Sequence, residues 1–215
     1  MAKKILVTGG TGYIGSHTVV ELQQAGYDVV IVDNLSNSSA DVLEGITRIT
    51  GVRPAFDKLD CTDMKAMEAL FKKHRFDGII HFAASKAVGE SVQHPLLYYR
   101  NNLVSLINLL ELMPTYNGEP DQNPIDESAP IKPAASPYGN TKQVNEEIIQ
   151  DFVHSGAPIK SIILRYFNPI GAHPSAEIGE LPLGVPQNLV PYITQTGIGI
   201  RKQLSVFGDD YDTPD

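Results

Sequence analysis

Short runs of β-branched and other apolar residues alternate with longer amphipathic stretches from the start of the chain. Lys4–Thr8 and Asp28–Asp33 each enclose a short apolar run, Ile5–Val7 and Val29–Val32, the pattern of strands in a parallel sheet. Residues 53–58, 77–82 and 160–166 read as further strands. Between them, apolar positions recur at helical spacing over residues 13–25, 40–51, 63–74, 97–113 and 138–155. This alternation predicts an α/β fold, a Rossmann-type doubly wound parallel sheet wrapped by helices. Asp63 or Thr62 is placed to cap one helix, and Gly26 to end the first.

The alternation breaks once. Residues 114–137 hold six prolines and no apolar run of strand length. A connection that long without an element is uncommon inside a compact domain, so either the fold changes here or a strand is missing. After Tyr166 the chain turns rich in proline and glycine, with a helix-like piece at 188–197 and a strand-like piece at 203–207. The organisation expected is a dinucleotide-binding domain over residues 1–167. Residues 168–215 would then begin a second, smaller substrate-binding region that stops short.

The first strand runs into Gly9-Gly10-Thr11-Gly12-Tyr13-Ile14-Gly15, which opens the first helix. Glycines in that context let backbone N–H groups and the positive helix end approach a pyrophosphate. Asp33 ends the second strand, 18 residues beyond Gly15. An acid at about that offset meets the adenosine ribose hydroxyls and repels a 2′-phosphate, so the reading is NAD rather than NADP. Read alone, Asp33 also fits a solvated strand-end acid. Asn34, Leu35, Ser36, Asn37 and Ser38 continue as a polar loop that could close over the adenosine. Asp60 and Cys61 after the third strand, and Phe82, Ala83, Ala84, Ser85 and Lys86 after the fourth, lie where parallel sheets bind ligands, although each loop could equally be mere packing.

Tyr138 and Lys142 are four apart and share one face of a helix that Pro137 starts. A tyrosine must drop about three pKa units to act as a base at neutral pH, about 4 kcal/mol. One ammonium about 4 Å away, at an effective dielectric of about 20, supplies a term of that size. The pair is therefore chemically sufficient as a base, though such pairs are also common on helix surfaces.

Composition narrows the partners. The 215 residues are 42% hydrophobic and 20% charged with a net charge of −8, enough apolar material for a core and no basic face for nucleic acid. The single cysteine and the scattered histidines offer neither a disulfide framework nor metal-ligand spacing, which points to a reducing, cytoplasmic setting without a metal. No apolar run is long enough for a membrane span or a secretory leader.

With these pieces assembled, the chain resembles the UDP-glucose 4-epimerase family of extended short-chain dehydrogenases/reductases. The runs that carry the resemblance are residues 9–15, 33–38, 81–91, 98–102, 136–142, 165–172 and 188–192. Residues 86–91 and 165–172 are the parts specific to that family. The resemblance implies an enzyme interconverting UDP-galactose and UDP-glucose through a transient 4-keto sugar, with tightly bound NAD and a homodimer built from the 97–113 and 138–155 helices. By motif, Tyr13, Ile14, Asp33 to Ser38, Asp60, Cys61, Phe82 to Lys86, Asn101, Tyr138, Lys142 and Phe167 would line the NAD site. Asn168, Asn188, Leu189, Ser205, Val206 and Phe207 would face the UDP-sugar, with Tyr138 and Lys142 catalytic.

The chain departs from that pattern in two places. A strand ending in a serine-rich segment has no counterpart between Asn117 and Gly118, and the chain stops at Asp215 before the remaining substrate region. Two other readings therefore stand beside the epimerase: a nucleotide-sugar dehydratase or decarboxylase of the same superfamily, and, if these residues are the whole molecule, a non-catalytic NAD binder.

Overall fold

The computed structural model describes residues 2–113, 134–166 and 168–206. Four parallel strands form one sheet in the order β3-β2-β1-β4, with β1 Lys4–Thr8, β2 Asp28–Asp33, β3 Ala55–Lys58 and β4 Gly78–His81. The chain moves outward from β1 to β3 and then restarts on the other side of β1. The strand order thus reverses between β1 and β4, the crevice where such sheets bind ligands.

Successive strand residues point to opposite faces, and the two cores follow that alternation. Val7, Val29 and Ile31 pack with Val19, Val20, Leu43 and Ile46 from α1 (Tyr13–Gln24) and α2 (Val42–Thr50). Leu6, Val30 and Val32 pack on the other face with Met67, Leu70 and Phe71 of α3 (Met64–Lys73) and with Leu109. Leu109 belongs to α5 (Pro95–Leu112), which follows the short α4 (Val88–Gln93). Helix α6 (Pro137–His154) lies against α4 and α5, and α7 (Leu189–Gly197) stands in the later stretch. The doubly wound arrangement is the one the sequence pattern predicts. Asp63 caps α3 by accepting from the Ala66 amide at 3.1 Å, and Gly26 follows α1 with a φ of 86°.

Two expected strands are absent among the described residues. Residues 160–166 carry no ladder, and Ile162, Leu164 and Tyr166 are exposed. Alternating β-branched residues make a strand only beside another strand's open backbone, and among the described residues β4 pairs with β1 alone. Residues 203–206 likewise carry no ladder. Helix α4 was not legible in the sequence, because six residues span less than two turns and show no apolar period.

Candidate functional site

The site begins at the turn between β1 and α1. Gly9 has a φ of 69°, and a Cβ there would sit 2.7 Å from the Ala83 amide nitrogen and 2.9 Å from the Phe82 carbonyl carbon. The loop after β4 is therefore laid directly on the glycine turn. A Cβ on Gly15 would run into the Gly9 carbonyl oxygen and lie 2.8 Å from the Gly10 Cα. Gly12 is the N-cap of α1 and supplies no side-chain hydrogen bond, which leaves the first-turn amides of Tyr13, Ile14 and Gly15 directed at the crevice. An anion such as a pyrophosphate fits that end by charge and by hydrogen bonding.

Asp33 is buried and organises this turn. Its Oδ2 accepts from the Thr11 amide at 3.2 Å, and its Oδ1 accepts from the Leu35 amide at 2.9 Å and the Ser38 hydroxyl at 3.2 Å. The Thr11 and Ser38 hydroxyls also bond at 2.7 Å. A carboxylate offers about four acceptor directions, so one on Oδ2 remains for a ribose hydroxyl. Leu35 adopts a φ of 60°, and Ser36 donates its amide to the Asn34 side chain at 3.0 Å, which shapes the 34–38 loop; Asn37 is exposed on it. Asn34 also donates to Asp60 at 3.3 Å. Burial raises the Asp60 pKa, but hydrogen bonds from the Thr62 hydroxyl, the Thr62 amide and Asn34 together bring it below the ordinary value. Cys61 is buried, its thiol pushed up to about 12 by burial and by the charges of Asp60 and Asp33, so it serves as packing and not as a nucleophile.

Across the crevice, one buried side chain ties three elements together. Asn102 of α5 accepts from the Ser85 amide at 2.8 Å, donates to the Ser85 carbonyl at 3.0 Å, and donates to the Thr141 hydroxyl of α6 at 3.0 Å. Asn101 donates to the Ser85 hydroxyl at 3.2 Å and to the Asn102 side chain at 3.0 Å. Thr141 in turn donates to the Tyr138 carbonyl at 2.7 Å. The loop of Phe82, Ala83, Ala84, Ser85 and Lys86 and the helix bearing Tyr138 and Lys142 are thus fixed to each other. Ser136 caps that helix by accepting from the Gly139 amide at 3.1 Å.

Lys142 reaches toward the strand ends. Its Nζ lies 5.7 Å from the centre of the Tyr138 ring. Burial and the Lys142 charge hold His81 at about 3, neutral, with its Nδ1 2.7 Å from the Thr8 hydroxyl. The surrounding protein lowers the Lys142 ammonium itself, although the side chain is open to the crevice. The Tyr138 phenol is not lowered as its spacing to Lys142 predicts: burial, followed by Tyr166, pushes it up. Burial disfavours the charged phenolate, and positive charge in the crevice acts in the opposite sense.

The later stretch is anchored by the face opposite α5. Tyr13 donates to the Gly171 carbonyl at 2.5 Å, Arg48 pairs with Glu177 at 2.6 Å, and Ile178 is buried against Gly45. Asn188 is the N-cap residue of α7 and donates to Glu180 at 2.5 Å. Asn168, Leu189, Ser205 and Val206 are exposed. Phe167 and Phe207 lie outside the described residues. Sequence reasoning did not single out Thr11, His81, Asn102 or Thr141, since polar residues within apolar patterns read as solvent-facing until their partners are known.

The sequence model of the GDP-mannose 4,6 dehydratase family matches residues 6–215. UDP-glucose 4-epimerase 2 of Arabidopsis thaliana is 50% identical over all of this chain and 66% of its own length, and the mouse UDP-glucose 4-epimerase is 47% identical over 99% of this chain and 67% of its own. The chain belongs to the UDP-glucose 4-epimerase family. Among solved structures, the epimerase of Stenotrophomonas maltophila with bound NAD and formylated UDP-arabinopyranose superposes with a TM-score of 0.89 at 48% identity, covering 99% of this chain and 67% of that one. The Bifidobacterium longum epimerase in complex with NAD+ and UDP gives 0.89 at 44% identity, covering 99% and 68%. This member of the family spans about two thirds of the length of its relatives. The Arabidopsis alignment is 231 positions long against 215 residues here, so that relative carries at least 16 positions with no counterpart.

Proposed function

We propose that the protein interconverts UDP-galactose and UDP-glucose with tightly held NAD. The observation that carries this reading is the fixed relation of the uncapped glycine turn, the loop after β4 and the Tyr138–Lys142 helix, joined through Gly9, Ala83, Ser85, Asn102 and Thr141. In this reading Gly9, Gly12, Tyr13, Ile14 and Gly15 take the pyrophosphate, and Asp33 takes a ribose hydroxyl with its remaining acceptor. The other NAD contacts come from Asn34 to Ser38, Asp60, Cys61, Phe82 to Lys86, Asn101 and Phe167. NAD, when bound, supplies a hydride acceptor that later returns the hydride to the same carbon, so the reaction has no net redox change. Tyr138 takes the proton of the sugar's 4-hydroxyl and gives it back on the other face. Lys142, with the nicotinamide's positive charge, offsets the burial that otherwise raises the Tyr138 phenol.

Residues 1–167 would form the dinucleotide-binding domain and residues 168–215 the start of the substrate-binding region, with Asn168, Asn188, Leu189, Ser205, Val206 and Phe207 toward the UDP-sugar. A homodimer through α5 and α6 is supported by the exposed Leu97, Ile107 and Val153 on those helices. The lone buried thiol suits a cytoplasmic protein.

The test is turnover: purified protein given UDP-galactose should form UDP-glucose with no added oxidant or reductant, and Tyr138→Phe should abolish it. Bound NAD without conversion of either sugar would defeat the reading.

A further inference from the structure

Lys86 is held from both sides by α5. Its predecessor Ser85 is fastened through both amide and carbonyl to Asn102, and its successor Ala87 donates its amide to the Tyr98 hydroxyl at 3.0 Å. Tyr98 is fully buried, four residues before Asn102 and hence on the same helix face. Its hydroxyl donates to the Glu90 carboxylate at 2.6 Å, which also secures the first turn of α4. Its ring meets the Tyr138 ring edge to face, with centroids 6.5 Å apart and planes at 78°. A single buried phenol therefore touches both the segment that follows β4 and the tyrosine proposed as base.

We propose that Tyr98 is a positioning residue for the reaction: its hydroxyl sets the Ala87 amide and so the path of Lys86, while its ring sets the orientation of Tyr138. This rests on the epimerase reading of the site. The hydroxyl and the ring do separable work. The hydroxyl holds the 85–91 segment to α5 through one accepted and one donated hydrogen bond. The ring restricts Tyr138 from the side. Neither role requires Tyr98 to exchange a proton with substrate. Burial, then the Glu90 hydrogen bond and charge, push its phenol up to about 12, so it stays neutral and keeps donating.

The experiment compares the parent protein with Tyr98→Phe, Tyr98→Leu and Glu90→Gln, following turnover of UDP-galactose, thermal midpoint and amide hydrogen exchange of residues 85–91. Tyr98→Phe keeps the ring and removes the tether. It is expected to speed exchange at Ala87–Ser91 at least about tenfold and lower kcat about tenfold, with KM nearly unchanged, because small misplacement of reacting groups acts on the rate. Tyr98→Leu also removes the ring and is expected to lower kcat further, on the order of a hundredfold. Glu90→Gln retains an acceptor for the Tyr98 hydroxyl and should stay within about twofold of the parent. If Tyr98→Phe loses activity only in proportion to a fallen thermal midpoint, or leaves kcat and exchange unchanged, the proposal is overturned. If the parent itself shows no turnover, the epimerase reading fails. The tether then stands only if exchange at Ala87–Ser91 rises in Tyr98→Phe, and falls if it does not.

Discussion

The Asn102 amide donates to the Thr141 hydroxyl at 3.0 Å, and neither side chain has any exposed surface. That bond joins the helix carrying Tyr138 and Lys142 to the sheet side of the crevice. Asn102→Ala leaves the Ser85 amide and carbonyl without their partner inside the protein. We expect a loss of about 2–4 kcal/mol in urea unfolding with an unchanged m-value, because buried groups stripped of partners keep their full desolvation cost. An unchanged denaturation midpoint would show that the network is dispensable.

The glycines of the turn separate function from tolerance. Gly15→Ala places a methyl against the Gly9 carbonyl and should abolish NAD binding, measured by calorimetry on protein freed of nucleotide. Gly89→Ala meets nothing within 4 Å and lies within α4, so it should bind NAD normally and gain up to about 1 kcal/mol in stability. Equal NAD affinity in the two variants would remove the glycine turn from the account.

The sheet and its two cores were legible because Ile5–Val7 and Val29–Val32 are short, wholly apolar and mostly β-branched runs, the pattern of strands in a parallel sheet. The glycine turn was legible for a similar reason, since strand, spacing and helix coincide. Residues 160–166 were misread because Ile162 and Leu164 advertise a strand without specifying a neighbour, and a ladder is a property of pairs. Asn102, Thr141 and His81 were passed over because burial of a polar side chain becomes acceptable only once its partners are in place. Spacing reveals the Lys142 charge but not the burial that raises the Tyr138 phenol.

His81 should give the protein an acid-sensitive limb. It is held at about 3 when folded against an ordinary 6.5, so below 6.5 the unfolded chain binds more protons at this site than the folded one. The stability from the neutral ring is complete above that pH and declines as pH falls toward 3, by about 1.4 kcal/mol per unit. Urea midpoints should therefore drop between neutral and mildly acidic pH, and His81→Gln should flatten that slope. An identical slope in the variant would contradict the assignment.

Tyr138 should change its ionisation when NAD binds. Its phenol lies above the usual value in the protein alone, and the nicotinamide adds the positive charge that burial otherwise opposes. Near-ultraviolet titration, differenced against Tyr138→Phe, should show tyrosinate forming above its ordinary pKa without NAD and at a lower pH with it. No displacement on NAD binding would mean that Tyr138 does not face the cofactor.

The most direct test follows the hydrogen on carbon 4. UDP-galactose carrying deuterium at that position is incubated with the protein and its bound NAD, and the UDP-glucose formed is examined by mass spectrometry and NMR. Transfer to NAD and return to the same carbon predict that the product keeps its deuterium at carbon 4, with no NADH released. Loss of the label to solvent, accumulation of NADH with an oxidised sugar, or no UDP-glucose at all would contradict an epimerase that borrows and returns one hydride.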